Sequence, residues 1–388
     1  MASVRFSDVV RRVNKFVDRH NTDLLYYVGG EHMESQELLV RQKGLIKGAT
    51  IGYKFHFGFE PGHILFGSRN PHLKKCSMVD FAGVCSDSTY VVETRDPEVL
   101  DQRYLLLEMQ SDRFWDWAEE NKSGSVNYLI NYCTLDEYEF DLPPIEKQRE
   151  LAELLWAAND LKEAYRKAIA ATDEMLKAKF REMFGECGGQ KTEGDPHVAI
   201  WPLVKIGDVS ESVQYGTSKP GTLNGDYKYL RMNNLTYDGL FDFSEVKRIS
   251  LPPDELETCF VCRGDILFNR TNTKEIVGKT AYFDFDEPMV IAGYIIRLRV
   301  DKAKVSPQYL WKLFNTDELK AKFQKIAKGS IHQANINAQE LRSIEFPLPP
   351  LSLQREFMAI AEKADETKAA LKKSIADLDQ VMRGLINE

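Results

Sequence analysis

The feature that most restricts how this sequence can fold is an internal repeat, in which segments of the first half recur in the same order about 200 residues later. The matched segments are residues 5–9 with 205–209, 62–66 with 264–268, 102–105 with 307–310, 122–126 with 328–331, and 142–150 with 348–356. Solenoid repeats are about 20–45 residues long. The much longer period here indicates two copies of a whole domain, each followed by a helix.

Each copy shows the same succession of predicted secondary structure. Short runs with β propensity come first, separated by turn signals such as Asn224-Gly225 and Asp238-Gly239. A helical stretch follows, over residues 97–120 in the first copy and 307–328 in the second. A Pro-Pro pair then opens a long helix, because proline suits the first helical turn, where its missing N–H would have no partner. We therefore predict an α+β protein with two similar mixed α/β domains.

The two long helices are predicted over Ile145–Phe184 and Leu351–Ile386, with the first ending at Gly185. Apolar residues recur along both helices, and in the second they fall at seven-residue spacing, as in a coiled coil. The residues proposed for this seam or for partner docking are Leu151, Leu154, Leu161, Phe357, Leu371 and Leu378. A lone helix with such a stripe would be unstable. We therefore predict an antiparallel pair about 60 Å long, within a pseudo-two-fold repeat.

These elements define five predicted segments. The first mixed α/β domain covers residues 1–143 and the first long helix 144–185, followed by a Gly- and Pro-containing linker over 186–200. The second mixed α/β domain covers residues 201–349 and the second long helix 350–388.

Composition and charge narrow the function. Hydrophobic residues make up 43% of the chain, enough for packed cores, and no window approaches the roughly 18 apolar residues of a membrane span. We therefore expect a cytoplasmic protein without membrane contact. The net charge of −8 argues against indiscriminate nucleic-acid binding. Between residues 302 and 328, however, seven lysines stand against two acidic residues, and either a solvated helix face or a phosphate-binding face explains them.

Motifs for catalysis and metal binding are incomplete. Gly278-Lys279-Thr280 resembles the end of a phosphate-binding loop, but that motif also needs a glycine at the position of Thr273. Cys259 and Cys262 form a single C-x-x-C without the second pair of a structural zinc site. We predict no catalytic residue, no metal site and no cofactor bound by this chain.

The sequence resembles a known family in its Pro-Pro segments and in what precedes them. Phe346-Pro347-Leu348-Pro349-Pro350 continues to Gln354-Arg355-Glu356, and Gly329-Ser330 with Ile336-Asn337 comes shortly before. This arrangement, together with Tyr229-Leu230-Arg231-Met232-Asn233-Asn234, is similar to that of the specificity subunit of type I restriction–modification systems. The resemblance covers essentially the whole chain. The first copy departs from it in that the segment after Gly124-Ser125 is one residue shorter.

The resemblance implies a division of labour. Each domain would be a target-recognition domain for one half of a split site in double-stranded DNA. The paired helices would set the gap between the halves and dock two methyltransferase subunits, which bring S-adenosylmethionine. A motor-nuclease subunit would bring ATP and magnesium. This chain would supply the recognition of the DNA sequence and would catalyse no reaction.

Two other functions stay open on the sequence. A coiled-coil scaffold with two ligand-binding heads and no DNA role is favoured by the acidic net charge. An enzyme with an unrecognised site is the second, and activity of the purified chain alone would support it. Binding to DNA would weaken steeply as salt rises, which distinguishes it from scaffolding.

Candidate DNA contacts are Arg, Lys, Asn, Ser, Thr and His residues on loops at corresponding places in the two copies, because these side chains recognise base edges and phosphates. In the first copy they are Arg69, Asn70, Lys74, Lys75 and Ser125. In the second they are Lys219, Arg231, Asn233, Asn234, Arg270, Thr271, Asn272, Lys328, Ser330 and His332.

Overall fold

A computed structural model describes residues 2–18, 21–185, 201–330 and 333–387. It divides into two compact units. The first unit comprises Met1–Ala168 and Ala370–Glu388, and the second comprises Ile169–Ala369. The predicted linker over 186–200 and the candidate residue His332 lie outside the described residues.

The first unit is a mixed α/β domain with part of each long helix. Its strands are β1 (Ala2–Arg5), β2 (Val10–Arg12), β3 (Lys15–Phe16), β4 (Tyr26–Val28), β5 (Gly44–Leu45), β6 (Phe55–Phe59), β7 (Ile64–Gly67), β8 (Cys76–Met78), β9 (Gly83–Ser86), β10 (Thr89–Thr94) and β11 (Glu139–Leu142). Its helices are α1 (Phe6–Val9), α2 (Gln102–Gln110), α3 (Asp112–Glu120), α4 (Tyr132–Leu135) and the beginning of α5 (Ile145–Phe184).

The second unit is built from the same kinds of element. Its strands are β12 (Leu203–Lys205), β13 (Ser210–Tyr215), β14 (Tyr227–Leu230), β15 (Lys247–Ile249), β16 (Phe260–Val261), β17 (Ile266–Asn269), β18 (Thr271–Asn272), β19 (Thr280–Tyr282), β20 (Met289–Ile291), β21 (Ile295–Val300), β22 (Lys328–Gly329), β23 (Ala334–Asn335) and β24 (Glu345–Pro347). Its helices are α6 (Pro253–Cys259), α7 (Pro307–Phe314), α8 (Asp317–Ile326), α9 (Ala338–Arg342) and the beginning of α10 (Leu351–Ile386).

The strand orders of the two units correspond. One sheet has the order β2-β10-β7-β8 in the first unit and β13-β21-β17-β19 in the second. Another has the order β3-β6-β9-β4-β5 in the first unit and β16-β20-β14-β15 in the second, with a parallel pair (β9 with β4, β20 with β14) in each. A two-stranded sheet of β1 with β11, or of β12 with β24, joins the start of each domain to the segment before Pro-Pro.

A strand buried on both faces lies at the centre of each unit. Ile64 and Phe66 of β7 pack with α2 and α3, whereas Leu65 between them packs with β6. In β17 of the second unit, Ile266 and Phe268 face one cluster and Leu267 faces another. Because successive side chains of a strand point to opposite faces, an unbroken apolar run is what such a strand requires. These runs are among the segments that carry the sequence repeat.

The predicted helical stretches before Pro-Pro are each two helices. Ser111 interrupts the first stretch, and its hydroxyl accepts a hydrogen bond from the Phe114 N–H at the start of α3. Thr316 interrupts the second and caps α8 through the Leu319 N–H. Serine and threonine favour this capping position. Each predicted helical stretch therefore contains two helices, α2 with α3 and α7 with α8.

A buried glutamine fixes the start of each long helix. Gln148 in α5 accepts a hydrogen bond from the Asp101 N–H (2.9 Å), and its amide donates to the Pro143 carbonyl (2.8 Å). Gln354 in α10 accepts from the Ser306 N–H (2.8 Å) and donates to the Pro349 carbonyl (2.7 Å). Both glutamines are fully buried. The Pro-Pro-x-x-x-Gln motif thus ties each long helix to the N-terminus of α2 or α7.

The long helices have the predicted bounds. α5 spans Ile145–Phe184, and Gly185 follows it with a φ of 76°, a backbone conformation that favours glycine. α10 spans Leu351–Ile386.

The buried face of α5 in the first unit differs from the predicted seam. Leu154 and Leu161 are 54% and 42% exposed, while Leu155 and Lys162 are buried. Lys162 is ion-paired with Asp379 of α10, and its ammonium group lies 3.7 Å from a carboxylate oxygen of Glu37. The spacing of apolar residues does not mark this buried face, because it includes a lysine whose charge is compensated by two carboxylates.

The remaining predicted seam residues lie closer to the packed faces. Leu151 packs at the edge of the first unit's core, and Leu371 and Leu378 are half-buried. In the second unit Phe357 is buried and its ring lies 5.3 Å from that of Phe180. None of the described helices is long and apolar enough to cross a membrane.

We predict that Gln354→Ala lowers the free energy of unfolding by about 1–3 kcal/mol, because it leaves the buried Ser306 N–H and Pro349 carbonyl unpaired. Urea denaturation followed by circular dichroism measures this. Gln380→Ala is the matched control, since Gln380 lies on the same helix and is exposed. Equal midpoints for the two variants would contradict the proposed role of Gln354.

Candidate nucleic-acid interface

In each unit, a few short β pairings of the backbone join the predicted contact loops. In the second unit, β18 pairs with β23, and β23 pairs with β22. In the first unit, Arg69 bridges to Leu129, which bridges to Ser123. The Ile130 N–H donates to the Ser68 carbonyl (2.9 Å), as the Ile336 N–H donates to the Arg270 carbonyl (2.9 Å). The loops on either side of these bonds therefore have corresponding backbone hydrogen bonds in the two units.

The Gly-Ser segments form the turns within these short β pairings. Gly124 and Gly329 have φ values of 100° and 123°, where L side chains are strained. A Cβ atom would lie 2.7 Å from the Asn127 carbonyl oxygen at Gly124, and 2.3 Å from that of Gln333 at Gly329. The following residues, Ser125 and Ser330, are exposed. Glycine is needed here for the turn itself, which places both serines at its tip.

A second loop, which follows β4 or β14, is held by a side-chain cap. His32 Nδ1 accepts a hydrogen bond from the Gly29 N–H (2.9 Å) in the first unit. In the second unit the Asn234 Oδ1 accepts from the Arg231 N–H (2.9 Å), and its Nδ2 donates to the carbonyls of Asp242 and Glu245. Asn234 is 1% exposed. Its prediction as a DNA contact is corrected, because the amide is buried and all its bonds are made within the protein.

A lysine ties down the same loop in each unit. The Lys75 ammonium donates to the Gly30 carbonyl, and the Lys279 ammonium donates to the carbonyls of Met232 and Leu235. Burial lowers the pKa of Lys279. Lys75 therefore supports the loop from behind, which the sequence alone did not indicate.

The other predicted residues of the first unit differ in whether their side chains already have partners within the protein. Arg69 is exposed, and among residues 2–18 and 21–185 no hydrogen-bond partner of its side chain is found. Lys74 is ion-paired with Asp112 (2.9 Å). Asn70 and Lys74 have φ values of 52° and 47°, so the chain bends sharply around Pro71. Of this group, Arg69 is the freest cation.

Several predicted residues of the second unit already have partners within the protein. Lys219 is paired with Glu255, and Lys328 with Glu340 (2.6 Å). Arg231 donates to the Glu245 carbonyl (3.1 Å). The partners of exposed ion pairs exchange readily with solvent and ligands, since such pairs contribute little stability. Lys219 and Lys328, at 52% and 80% side-chain exposure, remain accessible.

Residues 271–272 lie in β18 beside Arg270. Thr271 is 8% exposed and its hydroxyl is directed to Asn335, so its prediction as a DNA contact is also corrected. The Asn272 amide donates to the Asn269 side chain (3.0 Å) and is half-buried. Asn233 in the neighbouring loop is exposed.

The lysine-rich run is largely engaged within the second unit. Lys312 is paired with Asp365 (2.9 Å) of α10. Lys320 donates to the Tyr237 carbonyl (2.7 Å), and Lys322 to the Glu345 carbonyl (2.9 Å). Burial lowers the pKa of Lys320. These contacts favour a structural role over a continuous phosphate-binding face.

Two arginines stacked on aromatic rings are the most distinctive cations of the units. The Arg270 guanidinium lies over the Tyr215 ring, 4.8 Å from its centroid. The Arg12 guanidinium lies among Tyr90 (4.5 Å), Phe57 (5.1 Å) and Tyr132 (5.4 Å). Sequence reasoning found Arg270 but missed Arg12, because an arginine at the end of a short strand carries no signal in the sequence.

In the part of the chain that the structure describes, no three His, Cys, Asp or Glu side chains are grouped to hold a metal ion. Cys259 is buried and Cys262 exposed.

Comparison with known proteins finds a matching family. Residues 200–380, which include β12–β24 and most of α10, match the family described as the type I restriction modification DNA specificity domain. Residues 200–380 thus match this family, and the chain is similar to curated specificity subunits of type I restriction enzymes. The second Pro-Pro-x-x-x-Gln joint, at Pro349–Gln354, and the Arg270 loop both lie within the matched residues.

Two specificity subunits of Methanocaldococcus jannaschii are among its relatives. The chain is 26% identical over 210 residues to the type I restriction enzyme MjaX specificity subunit, with 53% of this chain and 49% of the relative covered. It is 21% identical over 319 residues to the MjaVIII specificity subunit, with 79% and 73% covered. The chain thus spans about half the length of the first relative and nearly three quarters of the second.

Solved structures show the same fold. The crystal structure of the type I restriction–modification S subunit from M. genitalium aligns with a TM-score of 0.58 at 12% identity, covering 99% of this chain and 94% of that one. A chain from a structure of complex assembly and conformational transition in the type I R-M system also gives 0.58, at 17% identity, covering 99% and 96%.

We predict that Asn234→Ala destabilises the second unit by about 1–3 kcal/mol, because three buried hydrogen bonds lose their partner. Asn233→Ala, at the exposed neighbour, should change stability by less than about 0.5 kcal/mol. Urea denaturation of both variants compares them. A destabilising Asn233→Ala with a neutral Asn234→Ala would reverse the assignment of the two residues.

Proposed function

We propose that this chain recognises a split, asymmetric site in double-stranded DNA for a type I restriction–modification complex, with each unit recognising one half. The main support for this proposal is that the two contact faces have corresponding backbone hydrogen bonds but bear different side chains. Ser68 corresponds to Arg270, and Arg69 to Thr271, at backbone positions with the same hydrogen bonds and bridges. Faces with one scaffold and different side chains suit two unlike half-sites.

The two units are, in this proposal, copies of one domain in a pseudo-two-fold repeat. The corresponding strand orders, the two glutamine joints and the paired glycine turns support it. The first unit contains the beginning of α5 and the end of α10, and the second contains the end of α5 and the beginning of α10.

The long helices are proposed to form an antiparallel coiled coil that spaces the half-sites. In the first unit Lys162 pairs with Asp379, and in the second Asp173 pairs with Lys368 (2.8 Å), so the later residue of α5 meets the earlier residue of α10. Leu154, Leu161 and Met175 of α5 are exposed. An exposed apolar stripe suits a protein partner, here the two methyltransferase subunits.

The partners would supply the chemistry. S-adenosylmethionine would belong to the methyltransferase subunits, and ATP and magnesium to motor-nuclease subunits. A protein-binding scaffold is the alternative that the net charge of −8 favours. It makes no demand on DNA sequence, and the experiment below separates the two.

We predict that deleting the gene from its source abolishes adenine methylation at one split, asymmetric motif, and that the wild-type gene restores it. Single-molecule sequencing of genomic DNA maps the methylated adenines. The modification subunits should still be present in the deletion strain, which immunoblotting checks. An unchanged methylation map in that strain would reject the DNA-recognition proposal and favour the scaffold.

A four-residue helical insertion into both long helices should lengthen the gap in the motif without changing the bases of either half. Insertion after Ala168 and after Ala369, where the two units meet along the chain, adds about 6 Å to each helix. At about 3.4 Å per base pair, the gap should grow by one or two base pairs. Insertion into α5 alone, the control, should disrupt the pair. An altered half-site sequence would contradict the spacer role.

A further inference from the structure

Ser68 and Arg270 occupy corresponding positions of the two units, where the backbone hydrogen bonds are the same but the side chains differ. The Ser68 N–H donates to the Ser88 carbonyl, and the Arg270 N–H donates to the Tyr294 carbonyl (2.9 Å in both). The Ser68 carbonyl accepts from the Ile130 N–H, and the Arg270 carbonyl accepts from the Ile336 N–H. The Ser68 hydroxyl is buried and donates to the Ser88 carbonyl (2.8 Å). The same backbone therefore carries an occupied hydroxyl in one unit and a guanidinium in the other.

The Arg270 guanidinium lies over a ring, and no hydrogen-bond acceptor for it is found among the residues that the structure describes. Its Cζ lies over the ring of Tyr215, and the Tyr215 hydroxyl accepts a hydrogen bond from the Ala338 N–H (2.8 Å), which holds the ring in place. Its Nε is buried and has no hydrogen-bond partner among residues 201–330 and 333–387. Tyr294, the residue that binds the Arg270 N–H, is 53% exposed. A rigidly held cation with unused donors beside exposed aromatic surface is suited to an acceptor-rich ligand.

Arg12 takes the corresponding place in the first unit from a different strand. One of the rings around it belongs to Tyr132, the first residue of α4. The ring beneath Arg270 is hydrogen-bonded to Ala338, the first residue of α9. α4 and α9 correspond, since each follows the contact segment and precedes the strand before Pro-Pro. Both units thus hold an arginine over a tyrosine that belongs to, or is hydrogen-bonded to, the first residue of the corresponding helix, although the sequence repeat does not align the two arginines.

The planar fork of arginine selects its ligand. Two parallel N–H donors match the O6 and N7 acceptors of guanine in the major groove, and they match two phosphate oxygens equally well. Aromatic support fixes the plane of the fork, which a base edge requires more strictly than a flexible phosphate does. The two possible sources of this double acceptor are separated below by experiment.

We infer that Arg270 recognises a guanine in one half-site and Arg12 a guanine in the other, each through its fork held on a tyrosine. This inference rests on the proposed DNA-recognition function. It adds a residue, Arg12, and a base identity to it.

The test replaces each arginine with lysine, which has a single ammonium group in place of the planar guanidinium. The deletion strain is complemented with full-length Arg270→Lys or Arg12→Lys, and adenine methylation is mapped. Lysine keeps the charge but cannot form the planar double contact. Arg270→Lys should relax one guanine of one half-site, with discrimination falling by about 5- to 150-fold, and leave the other half unchanged. Arg12→Lys should relax a guanine in the opposite half, so each variant is the control for the other.

A third variant controls for arginine replacement in general. Arg263 precedes β17 as Arg270 follows it, is exposed, and pairs with Asp284 and Asp286. Arg263→Lys should restore the wild-type motif. A uniform loss of methylation over all sites with Arg270→Lys, with the motif unchanged, would assign Arg270 to a phosphate and overturn the guanine inference. Full methylation with an unchanged motif would overturn it as well.

A second measurement does not depend on how well the variants fold. The wild-type complex of this chain with its methyltransferase is titrated with a duplex of the mapped motif in which 7-deazaguanine, which lacks the N7 acceptor, replaces the guanine of one half. Affinity should fall at least about five-fold. Unchanged affinity at every guanine of the motif would overturn the inference. If the wild-type gene restores no motif, the proposed function fails first, which is a different result from a restored motif that ignores both arginines.

Discussion

The structure depends most on the buried glutamine at the start of each long helix. Gln148 and Gln354 each satisfy one N–H at the N-terminus of α2 or α7 and one carbonyl of the Pro-Pro segment, without access to solvent. A buried amide group that lost its partner would cost more than the bond contributes, so a side chain with both a donor and an acceptor is needed. The most similar segments of the repeat are therefore the joints between each mixed α/β domain and the long helix that follows it.

These joints leave the contact faces free to vary. The glycine turns, the caps by His32 and Asn234, and the lysines Lys75 and Lys279 hold the main chain without using the exposed side chains. Residues such as Arg69 and Arg270 can then change without altering the scaffold. A protein that recognises two unlike half-sites with two copies of one domain needs this separation between support and recognition.

Much of this could be predicted from the sequence, and the exceptions have physical causes. The bounds of α5 and α10, the glycine turns and the pairing of corresponding loops follow from proline, glycine and repeat positions. The buried face of α5 did not, because Lys162 is buried against carboxylates from distant parts of the chain. Asn234 and Thr271 have the composition of DNA contacts but point inward, and Arg12 gains its surroundings only when three strands and a helix meet. Which polar residues face outward depends on packing, which local patterns do not contain.

The central claim is that each unit recognises its half of the site independently of the other. Replacing residues 201–349 with the corresponding segment of a specificity subunit whose methylated motif is known, followed by methylation mapping, tests this directly. The account predicts a hybrid motif, in which one half takes the donor's bases while the other half keeps its own. A motif changed in both halves, or in neither, from a chimera that restores methylation would contradict it.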